Sequence, residues 1–398
     1  MIGSAVREQA LKLMLVLLCA CTTAALAVAV GPDGPAPSMA FRSSSDYPAR
    51  AGNTSQAARA LDMIEHEMRD RRIPGLQVAV IKDGRIILQR GLGLSNVENH
   101  VPVSDKSLFA INSATKSFTG VAMMQLVEAG KVDLQAPISR YLDDLPASWR
   151  AIRVRQLLAH TSGLPNIVDR RGLVGGGSEA DAWAKITTLP LEAPTGTRFA
   201  YNQTNYALLA RIIAKLSGMP FEQYYRQRQF IPAGMIHTTF GDTFDVVPNA
   251  ATPYAFMRKV PGQVAVETKS LSRWAEDLPA GLRTGGGIQT SAQELAQWII
   301  ALEGGKLIKD RSRLAEMWAP EPLAGGGFGP WGAGWPAIRT ACHPAYAGIG
   351  GARSAFYVYP DDGLAVIVLT NLIGAEPETF IDRIADVFVP GIASCATP

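Results

Sequence analysis

Ser113 and Lys116 stand three residues apart in Ser113-Ala114-Thr115-Lys116, and that spacing can support acyl transfer. Residues at i and i+3 share one face of a helix, so the hydroxyl and the amine come within hydrogen-bond reach. A serine hydroxyl is a weak nucleophile at neutral pH and needs a base. A lysine can serve as one only where burial or nearby positive charge lowers its pKa from about 10.4. A serine at a helix N-terminus also sits where backbone N–H groups and the helix dipole favour developing negative charge. On its own the tetrapeptide is weak, because average residue usage yields roughly one in a chain of this length. The bland alternative is an N-capping serine followed by a solvated lysine. Here it is the only Ser-x-x-Lys in the chain, framed by Phe109-Ala110-Ile111-Asn112 and Ser117-Phe118-Thr119-Gly120.

Competing chemistries have little support. The five histidines show no paired metal spacing and no Cys-x-x-Cys occurs, so neither a metal nor another cofactor is expected. There is no Gly-x-Ser-x-Gly elbow for a Ser-His-Asp triad, and His160 reads as a hydrogen-bonded scaffold residue. Glycine-rich stretches 175–177 and 325–327 lack the Lys-Ser/Thr of a phosphate loop and read as flexible loops beside a cleft. A formal net charge of +3 over 398 residues, without a basic block interleaved with aromatics, argues against nucleic acid as a partner.

Several further segments extend the pattern: Leu157-Leu158-Ala159-His160-Thr161-Ser162-Gly163-Leu164, Pro194-Thr195-Gly196-Thr197-Arg198-Phe199-Ala200-Tyr201, Tyr206-Ala207-Leu208-Leu209, Gly285-Gly286-Gly287-Ile288-Gln289-Thr290 and Val366-Ile367-Val368-Leu369-Thr370-Asn371. Together with residues 109–120 they resemble the serine β-lactamase and penicillin-binding-protein superfamily in its class C-like branch, over about residues 56–388. The resemblance implies that Ser113 is the acylated nucleophile and Lys116 its proton partner. It implies that Tyr201, in a Tyr-x-Asn-like motif, shuttles a proton to the leaving group. A tyrosine near a cationic lysine can have a lowered pKa and act as a base.

Two departures bear on substrate. Gln203 stands where that family usually has Asn, keeping an amide but one methylene longer, so its substrate contact is expected to shift. The third motif, a strand with Lys or His, then Thr or Ser, then Gly, aligns with Gly348-Ile349-Gly350-Gly351 and lacks both the base and the hydroxyl. Gly350 and Gly351 still allow close approach to substrate, and the Gly351 N–H with that of Ser113 would form the oxyanion hole. The missing cation would have held a substrate carboxylate, so the substrate is expected to be a neutral ester or an amide. β-Lactamase or D-alanyl-D-alanine carboxypeptidase activity is the next reading, with Arg353 or His343 as substitute cations. A catalytically weak ligand-binding protein is the rival from another class.

The elements that must position these residues show two kinds of grammar. β-Rich runs at 76–82 and 85–89 flank Asp83-Gly84, a hairpin signal in which both turn positions favour positive φ. Runs at 355–359 and 364–370 repeat the pattern around Asp361-Asp362-Gly363. Leu61, Ile64 and Met68 mark a helical face before the first hairpin. Helical stretches are expected at 116–129, 153–158, 206–216, 292–303 and 376–388. The predicted class is α/β (α+β), an antiparallel sheet flanked by helices and built from both chain ends, with a mostly helical insertion at about 117–270.

The N-terminus reads as a targeting segment. Arg7 and Lys12 precede an apolar run at 13–30 containing Ala25-Leu26-Ala27, the pattern of a cleaved signal peptide over residues 1–27. Leu18-Cys19-Ala20-Cys21 is an alternative lipoprotein box that would anchor the chain through a lipid on Cys21. Residues 28–55 read as a flexible linker and 56–390 as the hydrolase domain. The expected location is periplasmic or secreted, with no membrane span left after cleavage. Cys342 and Cys395 remain, either disulfide-linked or as two buried thiols.

Overall fold

A computed structural model describes residues 55–169, 171–259, 265–338 and 342–394. Its centre is a seven-stranded antiparallel sheet. The strands are β1 (Gly75–Lys82), β2 (Arg85–Asn96), β3 (Val101–Pro102), β4 (Ala337–Ile338), β5 (Ala345–Gly350), β6 (Ser354–Tyr359) and β7 (Leu364–Thr370). Their order is β4-β5-β6-β7-β1-β2-β3. The two chain ends therefore meet at the β1–β7 pairing, where Leu76 faces Thr370 and Lys82 faces Leu364. The expected turn at Asp83-Gly84 is present, with φ of 49° and 72°. That left-handed pair joins strands of right-handed twist without splaying them.

β7 is buried at every position, and β1 at all but its last. A strand buried throughout has both faces covered. Leu76, Val78, Val80, Val366 and Val368 are buried on one face, where α5 (Ile381–Phe388) packs on β7 and on α1 (Ser55–Asp70). On the other, Ala365, Ile367 and Leu369 belong to a large core with α2 (Thr115–Glu128), α3 (Gln203–Ser217) and α4 (Ala292–Glu303). Phe118 stacks on Trp298 at 3.8 Å between ring centroids, and Trp298 lies parallel to Trp335 at 5.9 Å.

α2 is buried on all sides from Thr115 to Leu126. A helix with no solvated face is held by packing around its whole circumference, which anchors Lys116 in its first turn and the 3-10 turn Asn112–Ala114 that leads into it. Residues 129–287 hold the helices Val154–Leu158, Glu179–Ile186, α3 and Phe221–Tyr225, but this region is not helical to its end. Tyr254–Arg258 and Val266–Arg273 form a hairpin, with Leu372–Ile373 added in parallel. Among the described residues no helix is long and apolar enough to cross a membrane. Residues 1–54, with the proposed signal peptide, Cys21 and almost all of the linker, lie outside the described residues, as does Cys395; Cys342 is disulfide-bonded.

A tight joint runs between α2 and the 333–334 segment. A Cβ on Gly120 would lie 2.1 Å from the Ala333 carbonyl oxygen, and one on Gly334 would lie 2.4 Å from the Lys116 carbonyl oxygen. Replacing glycine by alanine inside a helix ordinarily stabilises it by about 1 kcal/mol. Here the methyl would meet backbone, so Gly120→Ala is predicted to cost about 2 kcal/mol instead. Urea unfolding measures the sign; a variant as stable as the wild type would contradict this packing.

Candidate active site

The chain reaches Ser113 through a strained turn. Phe109–Ala110 pairs with Ile288–Thr290, Asn112 takes a positive φ of 46°, and a 3-10 turn at Asn112–Ala114 leads into α2. Opposite, β5 comes so close that a Cβ on Gly350 would stand 1.9 Å from the Ile111 oxygen and 2.7 Å from the Ser113 nitrogen. Only glycine fits there, against the backbone of Ile111 and Ser113. Gly351 (φ 61°) and Ala352 (φ 50°) form the turn into β6, closed by the Arg353 N–H donating to the Gly350 oxygen at 3.1 Å.

Lys116 has no solvent exposure. Its amine donates to Gln203 Oε1 at 3.0 Å and to the Gly285 oxygen at 2.6 Å, and lies 4.8 and 4.9 Å from the centres of the Tyr201 and Tyr206 rings. Burial holds it well below the usual lysine range. The solvated-lysine alternative is thereby excluded. A neutral amine has two N–H groups and one lone pair. Two carbonyl oxygens take the N–H groups and leave the lone pair free.

Among the described contacts no hydrogen bond joins Ser113 to Lys116. The side chain that hydrogen-bonds Ser113 Oγ is Tyr201, whose hydroxyl donates to it at 2.7 Å. Tyr201 also departs from expectation in its acidity. Burial pushes its phenol up, against the pull of its hydrogen bonds to Ser113 and Gln203. At neutral pH it is a neutral phenol. Gln203 is present at the site but points its oxygen at Lys116, a contact its extra methylene allows.

His160 holds Tyr201 from behind. The Ala200 N–H donates to the His160 oxygen at 2.8 Å and the Asn202 N–H to His160 Nδ1 at 3.1 Å, so both neighbours of Tyr201 are pinned to one residue. With Nδ1 accepting, the ring proton sits on Nε2. Burial holds the imidazole well below its usual range and so keeps it neutral. Its ring lies 4.4 Å from that of Tyr201 and 4.9 Å from that of Trp331, a residue the sequence motifs did not single out. A buried ion pair between Arg155 and Glu321, at 2.8 Å, fastens the segment leading to Trp331.

Neither substitute cation is available for a substrate carboxylate. Arg353 is 1% exposed and bonded to Glu276 at 2.6 Å, while His343 bonds Asp362 at 2.9 Å. β5 itself has no room for a base at Gly348 or Gly350. A Cβ at 348 would strike the Phe356 ring at 2.2 Å. Ile349, between them, is apolar.

Gly285 is a further requirement that the motif comparison quoted without a role. A Cβ there would lie 2.8 Å from Gln203 Oε1 and 3.3 Å from Lys116 Nζ. Gly285→Ala is therefore predicted to displace the amide from the amine and slow acylation of Ser113 by about tenfold or more. The measurement is the rate of covalent labelling by a fluorophosphonate, and an unchanged rate would contradict the tight cage around Lys116.

The family model described as Beta-lactamase matches residues 61–389. Protein flp of Staphylococcus aureus strain MW2 is 26% identical over 328 residues, which is 80% of this chain and 64% of that protein. The chain spans about half to two thirds of the length of the curated relatives it matches, from 49% to 64%. Among solved structures, the octameric penicillin-binding protein homologue from Pyrococcus abyssi aligns with a TM-score of 0.70 at 25% identity, covering 83% of this chain and 77% of the other. The D-amino acid amidase from Ochrobactrum anthropi SV3 shares the fold, with a TM-score of 0.67 at 24% identity over 85% of this chain and 99% of its own. The sheet closed by both chain ends, the glycine strand against Ser113 and the match over most of the sequence have one conclusion: the chain belongs to the beta-lactamase family.

Proposed function

We propose that the chain is an exported serine hydrolase that cleaves a neutral ester or amide through an acyl-enzyme on Ser113. The observation that carries this reading is the Tyr201–Ser113 hydrogen bond of 2.7 Å beside a fully buried Lys116. Ser113 Oγ attacks the substrate carbonyl carbon while its proton passes to the Lys116 lone pair. The oxyanion is held by the N–H groups of Ser113 and Gly351. As the bond from carbon to the leaving oxygen or nitrogen breaks, Tyr201 protonates that atom and regains a proton from Lys116. Water then attacks the acyl-enzyme by the reverse proton route, releasing the acid and free Ser113. Every residue in this scheme is also present in the geometry described above, and none needs a metal.

The choice of a neutral substrate rests on β5. A carboxylate-bearing β-lactam or D-alanyl-D-alanine peptide gains much of its polar affinity from a charge-assisted contact. With Gly348 and Gly350 closed to side chains and Arg353 and His343 engaged, the strand offers no such partner. Export is supported by the N-terminal pattern and by the disulfide at Cys342, a bond typical of oxidising compartments.

Purified protein lacking residues 1–27 should hydrolyse a short-chain p-nitrophenyl ester and leave a chromogenic cephalosporin untouched. Ser113→Ala should abolish the ester activity. Fast cephalosporin turnover would overturn the substrate argument while keeping the mechanism. Ester turnover equal in wild type and Ser113→Ala would overturn the mechanism and favour a ligand-binding role.

A further inference from the structure

Residues 111–113 are gripped by side chains that the chemistry above does not use. Asn112 sits in the left-handed region, where a residue with a side chain needs support, though Asn tolerates it better than most. Both ends of its amide are held. Arg353 Nε donates to Asn112 Oδ1 at 2.6 Å, and Asn112 Nδ2 donates to Glu276 Oε2 at 3.1 Å. The clamp is closed by Arg353 Nη2 donating to the same Glu276 oxygen at 2.6 Å. Glu276 is oriented in turn by Trp274 Nε1 at 3.2 Å and by the Thr243 hydroxyl, which accepts its N–H at 2.7 Å. One residue further on, Ser354 Oγ donates to the Ile111 oxygen at 2.8 Å.

We infer that Asn112, Arg353 and Glu276 are positioning residues that aim Ser113 and fix its distance from the Gly351 N–H. The inference rests on the serine-hydrolase reading and adds to it. Arg353 closes the turn that contains Gly351, and a Cβ on Gly351 would already stand 2.9 Å from Asn112 Oδ1. The nucleophile's turn and the turn on the other side of the oxyanion are thus fastened through one guanidinium. A buried ion pair is weak evidence for stability, since an apolar replacement of similar volume is often neutral. Its charge-assisted bonds are directional, however, and they converge on the residue whose backbone sets the Ser113 rotor. Small errors in aim at a reacting atom can cost about a hundredfold in rate.

The test compares wild type, Asn112→Gly, Arg353→Met and the double variant. Fluorophosphonate inactivation of Ser113 is resolved into reversible affinity and the first-order inactivation rate, alongside thermal melting. Glycine keeps the left-handed conformation but removes the amide. Asn112→Gly should therefore lower the inactivation rate about ten- to a hundredfold, with affinity and melting temperature nearly unchanged. The double variant should be no slower than the slower single variant, because both remove one coupled device. If Arg353→Met does not fold, Asn112→Gly alone decides. A folded Asn112→Gly with the wild-type inactivation rate overturns the clamp, and so do losses that multiply in the double variant. A wild-type protein that does not label at all overturns the hydrolase reading, and the clamp's role falls with it.

Discussion

The structure depends on keeping the amine of Lys116 without access to water. A protonated lysine in such a place carries a large desolvation cost. Two carbonyl oxygens, Gln203 Oε1 and that of Gly285, accept from the amine and the faces of Tyr201 and Tyr206 lie beside it, but among the described contacts no carboxylate offsets its burial. Most of what surrounds it follows from that requirement. α2 is buried on every side, its backbone lies directly against Gly334, and Gly285 lacks the side chain that would push Gln203 away.

A second constraint is the nearness of β5 to the Ser113 turn. Gly350 has space for no side chain because the Ile111 oxygen and Ser113 nitrogen occupy it, and Gly348 has none because Phe356 does. Close approach and absence of a cation thus have a common cause in the strand's packing. The arginine nearest the turn, Arg353, is committed to Glu276 and Asn112 rather than to the cleft. The proposed preference for uncharged substrates and the proposed aim of Ser113 rest on the same few residues.

Much of the scaffold was legible from local chemistry. Asp83-Gly84 specifies a left-handed turn by residue type alone, and the hairpins expected at the two ends join one sheet through β1 and β7. The helix at 292–303 appears where its periodicity places it. The nucleophile's neighbourhood was legible only in part. Helix spacing brings Ser113 and Lys116 to one face but says nothing about competing acceptors, and Gln203 and Gly285, distant in sequence, take the amine's hydrogen bonds. The expectation that Lys116 would lower the pKa of Tyr201 failed because burial, the largest influence on the phenol, pushes it up. Trp331 and Glu276 carry no motif of their own. Their roles exist only once the loops at 320–331 and 274–278 are folded against the site.

The most direct test of the central claim is a titration of Lys116 itself. Protein labelled with 13C at the lysine ε-carbon would be followed by NMR against pH in a Ser113→Ala background. The signal is assigned by its disappearance in Lys116→Met. A midpoint well below the ordinary lysine value of about 10.4 is the predicted result, with the amine neutral at the pH where Ser113 reacts. A Lys116 that titrates at the ordinary value, or stays protonated throughout, would contradict the account of this residue as the base.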